Sequence, residues 1–189
     1  MADKGMEEEK NVWLSGTKVL PSDNYDDRPP HCEVELIIIH AISLPPEQFG
    51  GGHIEKLFTN SLNWDEHEYF GKIRGLRVSS HLLVDRLGEV MQFVDLNKRA
   101  WHAGESAWEG RNSCNDFSIG IEVEGSDSQP YEPEQYLSLA GLLVSIFGLY
   151  PRVNIDAVVG HCDVSPNRKT DPGPFFDWDY LRAEIAKFS

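Results

Sequence analysis

Seven histidines are spread along this chain of 189 residues, and two of them, His40 and His161, differ from the rest in their context. Each closes a short apolar run, Glu35 to His40 and Ala157 to His161, of the kind that forms a buried strand. A side chain at the carboxyl end of such a strand emerges into a crevice. An unpaired polar ring there is costly, and a metal ion would satisfy it. A third ligand is suggested by Gly160-His-Cys-Asp-Val-Ser-Pro-Asn-Arg-Lys-Thr-Asp-Pro-Gly-Pro174, a segment rich in turn residues and so a loop able to bring Asp171 back beside His161. Asp163 and Cys162 compete for the same place. Two imidazoles and one carboxylate would leave zinc one open position for water, the catalytic arrangement, whereas structural zinc sites are usually closed by four protein ligands.

Zinc hydrolysis also needs a base for water and a donor for the oxyanion. Glu122 and Glu124 alternate onto one face of a strand spanning Phe117 to Glu124 and are the base candidates. The competing reading is a solvated edge strand. Lys169 lies on the same loop as Asp171 and would polarise a carbonyl, against the plainer reading of a surface lysine. His31, His53, His67 and His81 are expected to be hydrogen-bonded structural residues. His67-Glu68 starts like a His-Glu-x-x-His zinc helix, but position 71 is Gly, so that motif fails.

The elements that must hold these residues are legible as a mixture. Glu35 to His40 reads as a strand buried on both faces. His81 to Asp85 and Val90 to Val94 flank Arg86-Leu-Gly-Glu, a hairpin with Gly88 in its turn. In the strand from Phe117 to Glu124, Ile119, Ile121 and Val123 face one way and Gly120, Glu122 and Glu124 the other. A helix over Glu134 to Tyr150 follows Pro133 and carries Tyr136, Leu139, Ala140, Leu143, Val144 and Phe147 at helical spacing, with Pro151 ending it. Asp177 caps a last helix bearing Tyr180, Leu181, Ile185 and Phe188, and a weaker helix spans His53 to Asn60. The predicted fold is mixed α/β, one domain with a central mixed β-sheet flanked by α-helices. It is expected to run over 13–189 after a charged, frayed start at 1–12.

Composition narrows the function. Acidic residues outnumber basic ones 31 to 17, for a formal charge of −14, which disfavours docking to nucleic acid or anionic lipid. No apolar run approaches the ~20 residues needed to span a bilayer. The first ten residues lack the cationic start and apolar core of a secretory signal. Cys32, Cys114 and Cys162 are odd in number and widely separated, which is no disulfide framework. A cytoplasmic, monomeric protein is the expectation.

Along nearly its whole length, from about Trp13 to the last helix, the sequence resembles the AmpD family, the 1,6-anhydro-N-acetylmuramyl-L-alanine amidases of cell-wall recycling. The stretches that carry the resemblance are Ile42-Ser-Leu-Pro-Pro, Phe49-Gly-Gly, Arg77-Val-Ser, Lys98-Arg-Ala-Trp-His-Ala-Gly, Cys114-Asn-Asp-Phe-Ser-Ile-Gly-Ile-Glu-Val-Glu-Gly and Arg168-Lys-Thr-Asp-Pro-Gly-Pro. Their joint occurrence in this order is highly specific. The resemblance implies zinc ligands at His40, His161 and Asp171, a catalytic glutamate at Glu122 and an oxyanion-stabilising Lys169. It also implies muropeptide contacts from Arg77 and Arg168 on the peptide side and Trp101 on the sugar side. Ala41 stands where the family carries Asn, and Ser113 where an arginine next to the peptide is usual. A non-catalytic muropeptide-binding module on the same fold, and an exported wall amidase, are the alternatives. The first would be expected to lack a ligand, and the second to carry a signal peptide or wall-binding module.

Overall fold

The computed structural model describes residues 11–188. In chain order its elements are β1 (Lys18–Val19), β2 (Tyr25–Asp26), β3 (Leu36–Ile42), α1 (His53–Phe58), α2 (Glu68–Lys72), β4 (Leu82–Val84), β5 (Val90–Gln92), β6 (Arg99–Ala100), β7 (Ala107–Trp108), β8 (Arg111–Asn112), β9 (Ser118–Glu124), α3 (Pro133–Leu149), β10 (Val158–Gly160), α4 (His161–Val164) and α5 (Trp178–Ala186). Six strands form one sheet in the order β1-β5-β4-β9-β3-β10. The β4–β5 pair is antiparallel and the other four pairs are parallel, so the sheet is mixed, as expected.

β9 lies inside this sheet, between β4 and β3, and every residue of it is buried. The edge-strand reading of Glu122 and Glu124 is therefore overturned: both carboxylates are removed from bulk water. Ile119, Ile121 and Val123 of β9 join Ile37 and Ile39 of β3 and Leu82 and Val84 of β4 in packing against α3. From α3, Leu139, Ala140, Leu143 and Ile146 complete that core, and each buried Leu or Ile contributes about 1.5–3 kcal/mol. Pro133 occupies the first turn, and the backbone N–H of Glu132 donates to the Gln135 side chain at 3.0 Å, so the helix start is capped.

The opposite face of the sheet is covered in two separate patches. Over β4 and β5, Leu83 and Met91 pack with Ile54, Leu57 and Phe58 of α1 and Phe70 of α2. Over β3 and β10, Leu36, Ile38 and Val159 pack with Ala103, Phe117 and Val164. Between the two patches the strands carry His40, Gly120 and Glu122. The functional residues thus occupy the gap left in the apolar cover, on the face turned away from α3.

Several element ends differ from the sequence reading. The strand expected over Ala157 to His161 is shorter: Ile155–Ala157 is a 3-10 turn, β10 ends at Gly160, and His161 opens α4. The Asp163 carboxylate accepts the Gly160 N–H at 2.7 Å, which fixes that switch from strand to helix. Gly88 does sit in the β4–β5 hairpin, at φ 78°, where a β-carbon would lie 2.7 Å from the Glu134 carbonyl oxygen of α3. Of the frayed start expected at 1–12, positions 1–10 lie outside the described residues. Val12 is held by Asp95, whose carboxylate accepts its N–H at 3.1 Å.

Candidate active site and metal centre

Three side chains from β3, the start of α4 and the following loop converge in the gap. His40 Nδ1 and His161 Nδ1 are 2.9 Å apart, and Asp171 Oδ2 lies 3.2 Å from the first and 3.0 Å from the second. The loop carrying Asp171 is tied back to α4 by the Cys162 N–H, which donates to the Asp171 carbonyl at 2.9 Å. Both imidazoles are 2% exposed. Burial lowers the His40 pKa to about 4, so it is neutral at pH 7 and has a lone pair to offer. The His161 Nε2–H donates to the Ala103 carbonyl at 3.0 Å, because a carbonyl only accepts. A neutral His161 ring then carries its lone pair on Nδ1, facing the Asp171 carboxylate oxygen at 3.0 Å. Two acceptors in that position repel each other, and a cation between them removes the repulsion. The residues therefore fit a metal ion with two imidazole ligands and one carboxylate, and their ligand atoms all lie within 4.8 Å of one another. Asp163, the competing carboxylate, is spent on the Gly160 amide, and Cys162 is not part of the converging group.

The two glutamates of β9 differ sharply. Glu124 accepts the Gly50 N–H at 2.6 Å and the Arg86 N–H at 3.2 Å, so it fastens two loops to the sheet. Glu122 Oε2 is buried without a hydrogen-bond partner. Burial lifts the Glu122 carboxyl to about 8, with repulsion from Asp171 adding to the rise and Lys169 opposing it. A buried carboxylate with an unused oxygen in a cleft is poised to exchange protons with whatever enters.

His40, His161, Asp171 and Glu122 line a cleft of about 500 Å³ that also exposes Lys169, Arg168 and an apolar wall including Leu57, Tyr69 and Leu76. A larger groove of about 670 Å³, walled by Tyr131, Tyr136 and Phe176, lies elsewhere. It holds none of the converging ligand atoms, so the smaller cleft is the one equipped for catalysis.

The sequence profile of the N-acetylmuramoyl-L-alanine amidase family matches residues 30–174, a span that contains every side chain of this cluster. The chain belongs to that family. It is 49% identical over 172 residues to the 1,6-anhydro-N-acetylmuramyl-L-alanine amidase AmpD of Haemophilus influenzae, covering 91% of this chain and 94% of that one. It superposes on a crystal structure of a selenomethionine AmpD derivative with a TM-score of 0.89 at 47% identity, over 92% of this chain and 96% of that one. It also resembles Escherichia coli AmiD, solved with anhydro-N-acetylmuramic acid-L-Ala-D-γ-Glu-L-Lys, with a TM-score of 0.59 at 29% identity over 83% of this chain and 60% of that one.

In this amidase the three residues expected to touch substrate occupy different settings. Arg168 borders the cleft, and its Nη2 donates to the carbonyls of Ala103 and Glu105, both at 2.6 Å, and to Ser165 Oγ at 2.7 Å. It shares the Ala103 carbonyl with His161 and so braces a ligand as well as facing the cleft. Arg77 and Trp101 stand just outside the lining. Arg77 Nε donates to Asn24 Oδ1 at 3.2 Å, and the Trp101 carbonyl accepts from Ser79 N–H at 3.1 Å. His67 accepts the Tyr69 N–H at 3.1 Å and starts α2. His81 is buried, accepts the Gly120 N–H on Nδ1 at 3.0 Å and donates from Nε2 to the Lys98 carbonyl at 2.9 Å. His102 was given no separate role by the sequence, yet its Nδ1 lies 2.9 Å from His40 Nε2. The available signal was Gly120, a glycine set among β-branched residues in a buried strand.

Proposed function

We propose that this amidase hydrolyses the lactyl amide between (1,6-anhydro-)N-acetylmuramic acid and L-alanine in muropeptides, as a cytoplasmic enzyme of cell-wall recycling. The observation that carries the reading is Glu122, a buried carboxylate with an unpartnered oxygen in the same cleft as His40, His161 and Asp171. The muropeptide in the related AmiD structure and the names of the curated relatives support the substrate class. The three cysteines are unpaired, consistent with a reducing compartment.

His40, His161 and Asp171 would hold zinc. The bound ion supplies Lewis acidity, polarising the amide carbonyl and making water a better acid. Glu122 takes the proton from the attacking water and returns it to the departing alanine nitrogen, a transfer suited to a carboxyl whose pKa lies near neutrality. Lys169 lines the same cleft, and its ammonium would stabilise the oxygen on which negative charge develops. Arg168 presents its guanidinium at the cleft wall, where it can meet a stem carboxylate. Arg77 lies between the lining residues Leu76 and Val78 in sequence, just outside the cleft, and would meet the stem further out. Trp101 would stack on the sugar. A binding module on this fold has no use for an unsatisfied buried carboxylate, so catalysis is the better reading.

The test is mass spectrometry of an anhydromuramyl tripeptide incubated with the zinc-loaded protein. Release of the intact peptide and the free anhydro sugar is expected, and an unaltered substrate overturns the proposal.

A further inference from the structure

His102 stands behind His40, against the ring nitrogen that does not face Asp171. His102 Nε2 lies 3.2 Å from Ser118 Oγ, and Ser118 Oγ lies 2.6 Å from the Cys114 carbonyl oxygen. A carbonyl oxygen only accepts, so the Ser118 hydroxyl gives its single hydrogen to Cys114. Ser118 Oγ must then accept at its other contact, so His102 carries its hydrogen on Nε2. A neutral ring protonated there has a lone pair on Nδ1, and His40 Nε2 faces it 2.9 Å away. His40 therefore donates from Nε2 and leaves Nδ1 bare, pointed at His161 and Asp171.

The fold holds His102 tightly in this orientation. The backbone N–H groups of His102 and Ala103 both donate to Asn115 Oδ1, at 3.3 and 2.8 Å. The ring lies so close over β9 that a β-carbon at position 120 would fall 2.4 Å from His102 Cγ. Gly120 is the space that lets the imidazole in. The His40 and His102 rings meet edge to face at 89°, with centroids 5.1 Å apart, and His81 closes the far side of His102 at 5.6 Å.

We propose that His102 is a positioning residue that fixes the tautomer and rotation of His40 for metal binding, through the chain His40, His102, Ser118 and the Cys114 carbonyl. The inference rests on the metal-site reading above. Outer groups of this kind change metal affinity typically 10–100-fold.

The experiment is a zinc titration of the chelator-stripped full chain against a competing chromophoric chelator. His102→Leu, which fills the space without accepting a hydrogen bond, should bind zinc about 10–100-fold more weakly than the parent. His102→Asn, whose Oδ1 stands where the ring had Nδ1, should recover most of that loss. Unchanged affinity in His102→Leu, or an Asn variant no better than the Leu variant, overturns the proposal. Should His102→Leu lose its near-ultraviolet circular dichroism and prove unfolded, Ser118→Ala decides. It leaves the ring in place and should still weaken zinc several-fold, and parental affinity there overturns the proposal. A parent chain that binds no zinc would instead overturn the metal-site reading itself.

Discussion

Glu122 and His40 are direct partners in the parallel ladder of β3 and β9. Partners in register send their side chains to the same face, so the proposed base and the first ligand stand side by side on two buried strands. Neither depends on a mobile loop for its place.

That pairing separates Glu122 from Glu124. Glu122→Ala should retain zinc and lose ~100-fold or more in turnover, the scale of general acid–base catalysis. Glu124→Ala should instead lower stability by about 1–3 kcal/mol, because the Gly50 and Arg86 amides lose their shared acceptor. Turnover, metal content and urea unfolding of both variants check this. A Glu124 variant crippled in turnover at full stability would reverse the assignment.

The pH dependence of the metal-free protein follows from the same carboxyl. Burial and Asp171 raise the Glu122 pKa from 4.5 to about 8. Between those values the folded state holds a proton that the unfolded chain has released, so the stability this provides is complete below 4.5 and is lost as pH rises through about 8. Glu122→Gln removes the titration. In the absence of metal it should be more stable than the parent at pH 9, by on the order of a few kcal/mol, with the gap closing at acid pH. Urea unfolding across pH measures it, and a gap that does not vary with pH contradicts it.

Much of the fold was legible because its longer elements carry strong patterns. The apolar run of β3, the alternation in β9, the hairpin around Gly88 and the stripe on α3 all appear where their residue types put them. The two-residue strands β1, β2, β6, β7 and β8 were not readable, since two residues establish no period. The different fates of Glu122 and Glu124 were also hidden from pattern. They are set by amides 74 and 38 positions from Glu124, at Gly50 and Arg86, which no local window contains. His102 escaped notice for the same reason: its partner His40 lies 62 positions away.

Gly88 gives a prediction about the scaffold. Gly88→Ala combines a left-handed backbone with a β-carbon pressed against the Glu134 carbonyl, and it should cost about 1–3 kcal/mol or more by forcing the hairpin off α3. A thermal melt matching that of the parent would show that the hairpin moves freely there.

The two arginines should respond differently. Arg77→Ala is expected to raise KM for an anhydromuramyl tripeptide with an acidic stem more than for a substrate bearing only L-alanine, with stability unchanged. Arg168→Ala removes the donor to Ala103, Glu105 and Ser165, so it should also lower the melting temperature. Paired kinetics with thermal melts separate the two. Equal losses of Arg77→Ala on both substrates would remove it from the peptide side.

Catalysis as proposed requires His40, His161 and Asp171 to hold one zinc ion. An anomalous-difference map collected at the zinc edge, from crystals of the zinc-loaded chain, tests it most directly. A single strong peak is expected, bonded to His40 Nδ1, His161 Nδ1 and an Asp171 carboxylate oxygen, with Glu122 facing it. Zinc bound in stoichiometric amount at any other position, with these three side chains left without metal, would contradict it.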